Sequence, residues 1–436
     1  MKCVFIFRRD IRLDDNTALL RAAETCEEIL PIFIADPRQL EHNEYKSEYA
    51  TTFMINSLFE INAELKKANS RLYVLYGIAE EVIKEFDRFD AVFINEDYTP
   101  FSLLRDKKIE LNCKEKGMKF YKYEDYLLTE KERIKQFRNF SSFIRETNIK
   151  VREPKYDACF NFHNGKLRGE KDIDFLIRFK KVESPIFKGG RKEGLKLLRR
   201  ALEVDFTRRD YPYEANSTSL SPHIKFGTLS IREAYYTMKS NDAFIRQLYW
   251  RDYYTLLAYY NPRVFFENYK EELKEIKWEN DNLKFNAWKE GRTGFPIIDA
   301  SMRQLNATGY INNRLRMLTS FFLVKVLFVD WRLGEKYFAT KLVDYDPAIN
   351  NGNWQWIAST GTDYIFRIYD VWKQQEKYDP EAKYIKEWVE ELRDFPPSII
   401  HKLYLHKIRD YPMIVDNWEE RVKSVKVAYK RAMGKD

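Results

Sequence analysis

Short apolar runs alternate with amphipathic stretches over residues 1–125 of the chain. Cys3–Phe7, Ile29–Ala35, Arg71–Tyr76 and Ala91–Asn95 are rich in Val, Ile, Phe and Tyr and predict strands buried on both faces. Between them, roughly Asn16–Thr25, Glu44–Ala68, Ala79–Phe86 and Phe101–Lys116 carry apolar positions at helical spacing. Alternation of this kind predicts an α/β domain, a Rossmann-like parallel sheet with helices on both faces. Such sheets bind ligands beyond the carboxyl ends of their strands. Residues 126–186 lose the period and crowd basic and polar positions with Pro154, Asn161, Asn164 and Gly165, which predicts a surface connector. After Gly189-Gly190 strand signals become rare. Helical patterns cover Arg191–Glu203, Ile231–Lys239, Asp242–Tyr260, Pro296–Ala307, Asn313–Val329, Lys383–Leu392 and Trp418–Lys430. The predicted organisation is a 1–125 α/β domain, a 126–186 connector and a larger all-helical 187–436 domain.

Composition narrows the classes. Of 436 residues, 44% are hydrophobic and 33% charged, too apolar for a disordered chain and too charged for a membrane one. The apolar run at Cys3–Phe7 is too short for a signal peptide core, and no stretch reaches spanning length, so a cytoplasmic protein without membrane contact is expected. Cys3, Cys26, Cys113 and Cys159 are scattered without a C-x-x-C pair, and the five His are dispersed. Neither a metal site nor a disulfide framework is expected from that spacing. No G-x-G-x-x-G follows the first strand and no P-loop occurs, which argues against the standard dinucleotide and triphosphate sites. A net charge of +8 is compatible with a polyanionic partner, and 16% aromatic content raises the question of whether some rings stack on ligands or carry electrons.

The helical half holds the candidate chemistry. Ser217-Thr218-Ser219-Leu220-Ser221-Pro222 places hydroxyls ahead of an apolar run, either an ordinary cap or a phosphate cradle. Downstream come Tyr249-Trp250-Arg251-Asp252, Asn312-Asn313-Arg314-Leu315-Arg316-Met317 and Asp344-Tyr345-Asp346-Pro347-Ala348-Ile349-Asn350-Asn351-Gly352-Asn353-Trp354-Gln355-Trp356. Dense Asn, Asp and Trp with few aliphatics are hard to place in a core unless each polar group finds a partner. A polar aromatic heterocycle of isoalloxazine type suits such a lining.

These segments, with Phe7-Arg8-Arg9-Asp10-Ile11-Arg12-Leu13-Asp14-Asp15-Asn16 and Thr293-Gly294-Phe295-Pro296-Ile297-Ile298-Asp299-Ala300-Ser301-Met302-Arg303-Gln304-Leu305, resemble the photolyase/cryptochrome family of flavoproteins from Met1 to the C-terminal helix. The resemblance implies a light-driven lyase that repairs cyclobutane pyrimidine dimers in DNA, acting as a monomer, with FAD in the helical domain. It places the FAD phosphates near Ser217, Thr218, Ser219, Leu220 and Ser221. It places the isoalloxazine among Trp250, Arg251, Asn313, Arg316, Asp344, Asp346 and Asn350, with Arg316 paired to Asp344 and Asn350 facing flavin N5. Trp354, Trp331 and Trp278 match the family's electron relay. Gln247, Trp250, Asn313, Arg314, Met317, Trp356 and Arg209 match its lesion and DNA contacts.

The chain departs from the family in three places. Gln247 stands where dimer-specific photolyases usually have Glu, Tyr310 where many relatives have Trp, and no clear Tyr precedes the phosphate segment, Asp205 and Phe206 being nearest. A second, antenna chromophore is expected in the α/β domain. Phe101-Ser102 replaces the Asn-Glu pair of folate-using members, which disfavours folate and leaves FMN, FAD or a deazaflavin. The rival reading is a cryptochrome-like blue-light receptor without repair; a third is a basic nucleic-acid-binding protein without flavin.

Overall fold

A computed structural model of the chain describes residues 1–134, 137–147, 150–214, 216–363, 365–406, 408, 410–411 and 413–434. Five parallel strands, β1 (Lys2–Phe7), β2 (Glu28–Ala35), β3 (Tyr73–Tyr76), β4 (Ala91–Asn95) and β5 (Lys119–Tyr123), make one sheet in the order β3-β2-β1-β4-β5. The register sets Val4 between Leu30 and Val92. Val4, Ile6, Leu30, Ile32, Ile34, Val92 and Ile94 pack with Ile83, Ile109 and Cys113 of flanking helices. The predicted α/β half with its parallel sheet and the larger helical region are therefore both present. β5 is the strand that the apolar runs do not reveal. It reads Lys-Phe-Tyr-Lys-Tyr, and as an edge strand it needs no continuous apolar run.

The cysteine expectation is overturned. Cys3 and Cys26 form a disulfide, with Cα atoms 6.0 Å apart, while Cys113 and Cys159 are free. The helix Thr17–Thr25 runs back along β1, so its end returns the chain to the start of the strand. Sequence spacing alone does not show that return.

The described residues group into two compact units. The first comprises Met1–Glu203, Thr218–Pro262 and Val343–Asp346, and so contains the sheet, the connector and the helix Asp242–Tyr260. The connector packs on the sheet through bridges from Phe162 to Ile29 and from Lys171 to Val74. The second unit, Val204–Ser217, Arg263–Leu342 and Pro347–Asp436, is helical. Its helix Pro296–Thr308 starts on a proline and stops at left-handed Gly309. The pattern over Asn313–Val329 predicts one helix, but α geometry ends at Phe321 and a π turn follows over Phe322–Val326. The helices Trp331–Lys341 and Pro347–Ala358, which the pattern misses, follow it.

Candidate active site

In the first unit, strand order reverses between β1 and β4, and the turns after them meet there. Arg8, Arg9 and Asp10 line a small polar cavity with Asn95, Glu96, Asp97, Asp125 and Tyr126. Gly227 lets a second segment close over this turn; a Cβ there would lie 2.2 Å from the Arg9 carbonyl oxygen. Arg9 pairs with Asp97 at 3.2 Å and also with Asp346. Burial opposes the charge on Asp97, yet Arg9, Arg105 and Arg8 together hold its carboxyl at about 2.

Asp346 is buried and accepts a 2.6 Å hydrogen bond from the Tyr126 phenol. Arg251, on the helix Asp242–Tyr260, lies with its guanidinium carbon 3.4 Å from the Tyr126 ring centre and donates to the Tyr126 carbonyl oxygen at 2.6 Å. Arg251 Nη2 is buried with no hydrogen-bond partner among the described residues. Its neighbour Asp252 receives the Leu128 and Thr129 N–H groups, each at 2.9 Å; burial lifts its carboxyl to about 7 against these donors and Arg251. Sequence reading missed Arg9, Tyr126 and Asp252 because their partners lie more than a hundred residues away.

The hydroxyl segment is part exposed and part scaffold. Leu220 is buried, Ser221 donates to Asp344 at 2.7 Å, and Ser219 takes a left-handed backbone. Gln247 is exposed one turn before Trp250. The Trp250 indole stacks on Phe140 with ring centres 3.6 Å apart and planes 3° from parallel, so one face of this expected platform already carries a ring. Phe140 opens a short helix inside the connector, where the sequence shows only a polar, aperiodic stretch.

In the second unit, the helix Asn313–Phe321 presents the rim residues. Asn313 is exposed and its amide donates to the Met317 sulfur at 3.4 Å. Arg314 pairs with Asp210 at 2.5 Å and lies over Tyr378. Arg316 donates to the Ile311 carbonyl oxygen at 2.9 Å and lies over Tyr310, whose hydroxyl is 3.2 Å from that of Ser217. Arg209 is exposed. The Asn350 amide NH₂ donates to Glu335 Oε1 at 2.9 Å and to its carbonyl oxygen at 3.2 Å, which turns the Asn350 carbonyl oxygen the other way.

Of the three expected relay rings, Trp354 is 2% exposed and Trp331 0%, while Trp278 is partly exposed beside Phe328 and Tyr429. The Trp331 indole N–H is held by Asn268 at 2.8 Å. Trp354 packs edge-on against Phe338 and lies 6.2 Å from Trp288, a buried indole the sequence reading did not single out. Gly334 makes room for it, since a Cβ there would sit 2.3 Å from the Trp354 ring. Trp356 is covered by the Arg367 guanidinium, 3.7 Å from its ring centre. Arg367 pairs with Asp363 and leaves Nη1 buried without a hydrogen-bond partner among the described residues.

Other motif residues build the scaffold. Asp299 collects the Thr293 and Gly294 N–H groups and the hydroxyls of Thr293 and Tyr411. Asn351 and Gln355 both donate to the Val264 carbonyl oxygen. The groups not consumed in this way, the free nitrogen of Arg251 above all, fit a large polar heterocycle bearing hydrogen-bond acceptors.

Residues 3–158 match the family described as DNA photolyase, and residues 244–433 match the FAD binding domain of DNA photolyase. Curated relatives include the deoxyribodipyrimidine photo-lyases of Alkalihalophilus pseudofirmus, 32% identical over 96% of both chains, and Halobacterium salinarum, 32% identical over 99% of both. Among solved structures, an archaeal photolyase from Sulfolobus tokodaii with two FAD molecules superposes with a TM-score of 0.95 at 61% identity, covering 99% of this chain and 100% of that one. A Synechocystis cryptochrome superposes with a TM-score of 0.91 at 26% identity, covering 98% and 99%.

Proposed function

Because the chain belongs to the DNA photolyase family, we propose that it is a deoxyribodipyrimidine photo-lyase that splits cyclobutane pyrimidine dimers in DNA under blue or near-ultraviolet light. The observation that carries this reading is the buried array of Arg251, Tyr126 and Asp346, in which Arg251 Nη2 has no hydrogen-bond partner among the described residues. Reduced FAD, when bound and excited, supplies the electron that cleaves the dimer. The residues assigned to hold it are Ser217, Thr218, Ser219, Leu220, Ser221, Arg251, Asn313, Arg316, Asp344, Asp346 and Asn350. Asn350, oriented by Glu335, offers the flavin edge a neutral amide where a carboxylate would impose a charge. Trp354, Trp331 and Trp278 would relay an electron from a reductant in solution toward the flavin.

On the substrate side, Trp250 and Trp356 stack on the flipped dimer, which costs little to extrude because the lesion already weakens the duplex. Gln247, Asn313 and Met317 read its edge. Gln247 hydrogen-bonds a thymine without donating a carboxyl proton. Arg209 and Arg314 hold phosphates, and binding is correspondingly salt-sensitive. We assign the antenna role to residues 1–125 and FAD binding to 187–436. A second flavin is the favoured antenna, supported by the two FAD molecules of the 61% identical relative. Flavin-to-protein stoichiometry after heat release tests that choice, two flavins per chain being the expected result.

The decisive experiment records the absorbance of the purified protein and then illuminates it with dimer-containing DNA. A flavin band and light-dependent loss of dimers are expected. A protein without a flavin band after reconstitution overturns the reading. A flavin band without dimer loss replaces it with a light receptor.

A further inference from the structure

We propose that Tyr126 is a positioning residue for the flavin site: its phenol fixes Asp346 while its ring and carbonyl oxygen fix Arg251. The inference rests on the reading above, in which Asp346 and Arg251 face the flavin.

Two donors converge on a single carboxylate oxygen. The Tyr126 phenol reaches Asp346 Oδ2 at 2.6 Å, and the Arg9 guanidinium donates to the same oxygen and also to the phenol oxygen. Arg9 is itself anchored by Asp97 on its second nitrogen, and its backbone is pinned by the close approach of Gly227. The carboxyl is thus held by a charged and a neutral donor on one oxygen, both buried or nearly so. The same tyrosine touches the second cofactor-facing group. Guanidinium carbons of Arg9 and Arg251 lie 4.2 Å and 3.4 Å from its ring centre, and its carbonyl oxygen takes the 2.6 Å bond from Arg251 Nη1. One residue in the loop after β5 therefore sets the orientation of an anion at position 346 and a cation at position 251. Preorganised groups of this kind cost nothing to reorient when the ligand arrives.

Tyr126→Phe isolates the claim. It keeps the ring, and with it both guanidinium contacts, and removes only the hydroxyl. The readouts are the rate of FAD release from the holoprotein, followed by the rise in flavin fluorescence, and the shape of the bound flavin's absorption bands. Losing a hydrogen bond to a charged group corresponds to release about tenfold faster. The flavin bands are expected to shift in the same direction in Tyr126→Phe and in Asp346→Asn. In the Asp346→Asn background, Tyr126→Phe is expected to add less than about twofold, because its target is already altered. Wild-type release and spectrum in Tyr126→Phe overturn the proposal. So does an undiminished effect in the double variant, which means the tyrosine acts on the fold and not through Asp346. Wild-type release in Asp346→Asn is a different failure: it removes Asp346 from the flavin and overturns the underlying assignment.

Discussion

His223 makes the hydroxyl segment acid-labile. It lies in the short helix Ser221–Lys225, fully buried, with Nδ1 2.8 Å from the Thr228 hydroxyl and Nε2 without a hydrogen-bond partner among the described residues. Phe53 packs edge-on against the ring, and Gly194 lets the neighbouring helix approach, since a Cβ there would lie 2.8 Å from Nδ1. Burial outweighs the Gly190 backbone, which favours the charged form, and lowers the imidazole from 6.5 to about 4. The unfolded chain therefore takes up the proton before the folded one. The contribution is at its full value above the unfolded pKa and is lost as pH falls from about 6.5 toward 4, a total of about 3 kcal/mol. His223→Asn keeps a polar group for Thr228 and removes the titration. Urea unfolding of both proteins at about pH 7.5 and about pH 4 isolates the residue, because the other titrating groups cancel in the difference. The wild type is expected to lose about 3 kcal/mol more than the variant between the two pH values. An equal loss in both refutes the reasoning, and with it the view that this histidine is neutral in the folded chain.

Three other outcomes follow from particular contacts. The Cys3–Cys26 disulfide closes a loop between residues 23 apart, which by the chain-entropy relation stabilises the fold by about 3.4 kcal/mol, so Cys26→Ser should lower the unfolding free energy by that order with the flavin spectrum unchanged. Lys325, on the π turn, is fully buried with its amine 2.9 Å from the Ser359 hydroxyl, and burial takes it far below the ordinary lysine range. Burial disfavours its charged form relative to the unfolded chain, so the stability gap between Lys325→Met and wild type should narrow as pH rises toward 10, measured by denaturant titration. Trp354→Phe should slow photoreduction of the oxidised flavin, read by transient absorption, while chemically reduced protein still repairs dimers; unchanged photoreduction rejects the relay.

Some of this was legible in the sequence and some was not, for physical reasons. Four strands show as continuous apolar runs because both faces of a parallel sheet are covered, and their helices show through period. β5 escapes because an edge strand with Lys119 and Lys122 has no such run. The disulfide, the Arg9–Asp346 pair and the Tyr126 phenol all depend on the chain returning to a place that spacing does not encode. Phe140 was hidden because a stacking partner inside an aperiodic connector has no pattern to betray it. The cofactor class was legible only through long ordered motifs. Composition supplied the question about aromatic rings, not its answer.

The helix Pro347–Ala358 shows why polar density by itself is a poor guide to chemistry. Asn350 and Trp354 are four residues apart and share a face, and both meet the helix Trp331–Lys341, at Glu335 and Gly334 respectively. Asn351 and Gln355 share the adjacent face, one residue on, and both spend their amides on the Val264 carbonyl oxygen, with Gln355 also receiving the Tyr269 N–H at 2.8 Å. Two asparagines side by side in one motif thus do unrelated work. The second pair satisfies the short 3-10 turn Pro262–Phe265 and the Tyr269 N–H that follows it, so its loss leaves buried carbonyl and N–H groups unpaired and costs stability. The first pair packs on the helix Trp331–Lys341 instead, Asn350 through Glu335 and Trp354 against Gly334. A motif dense in Asn and Trp therefore divides by helical face into groups with different partners, and the face follows from the four-residue spacing once the helix has been located.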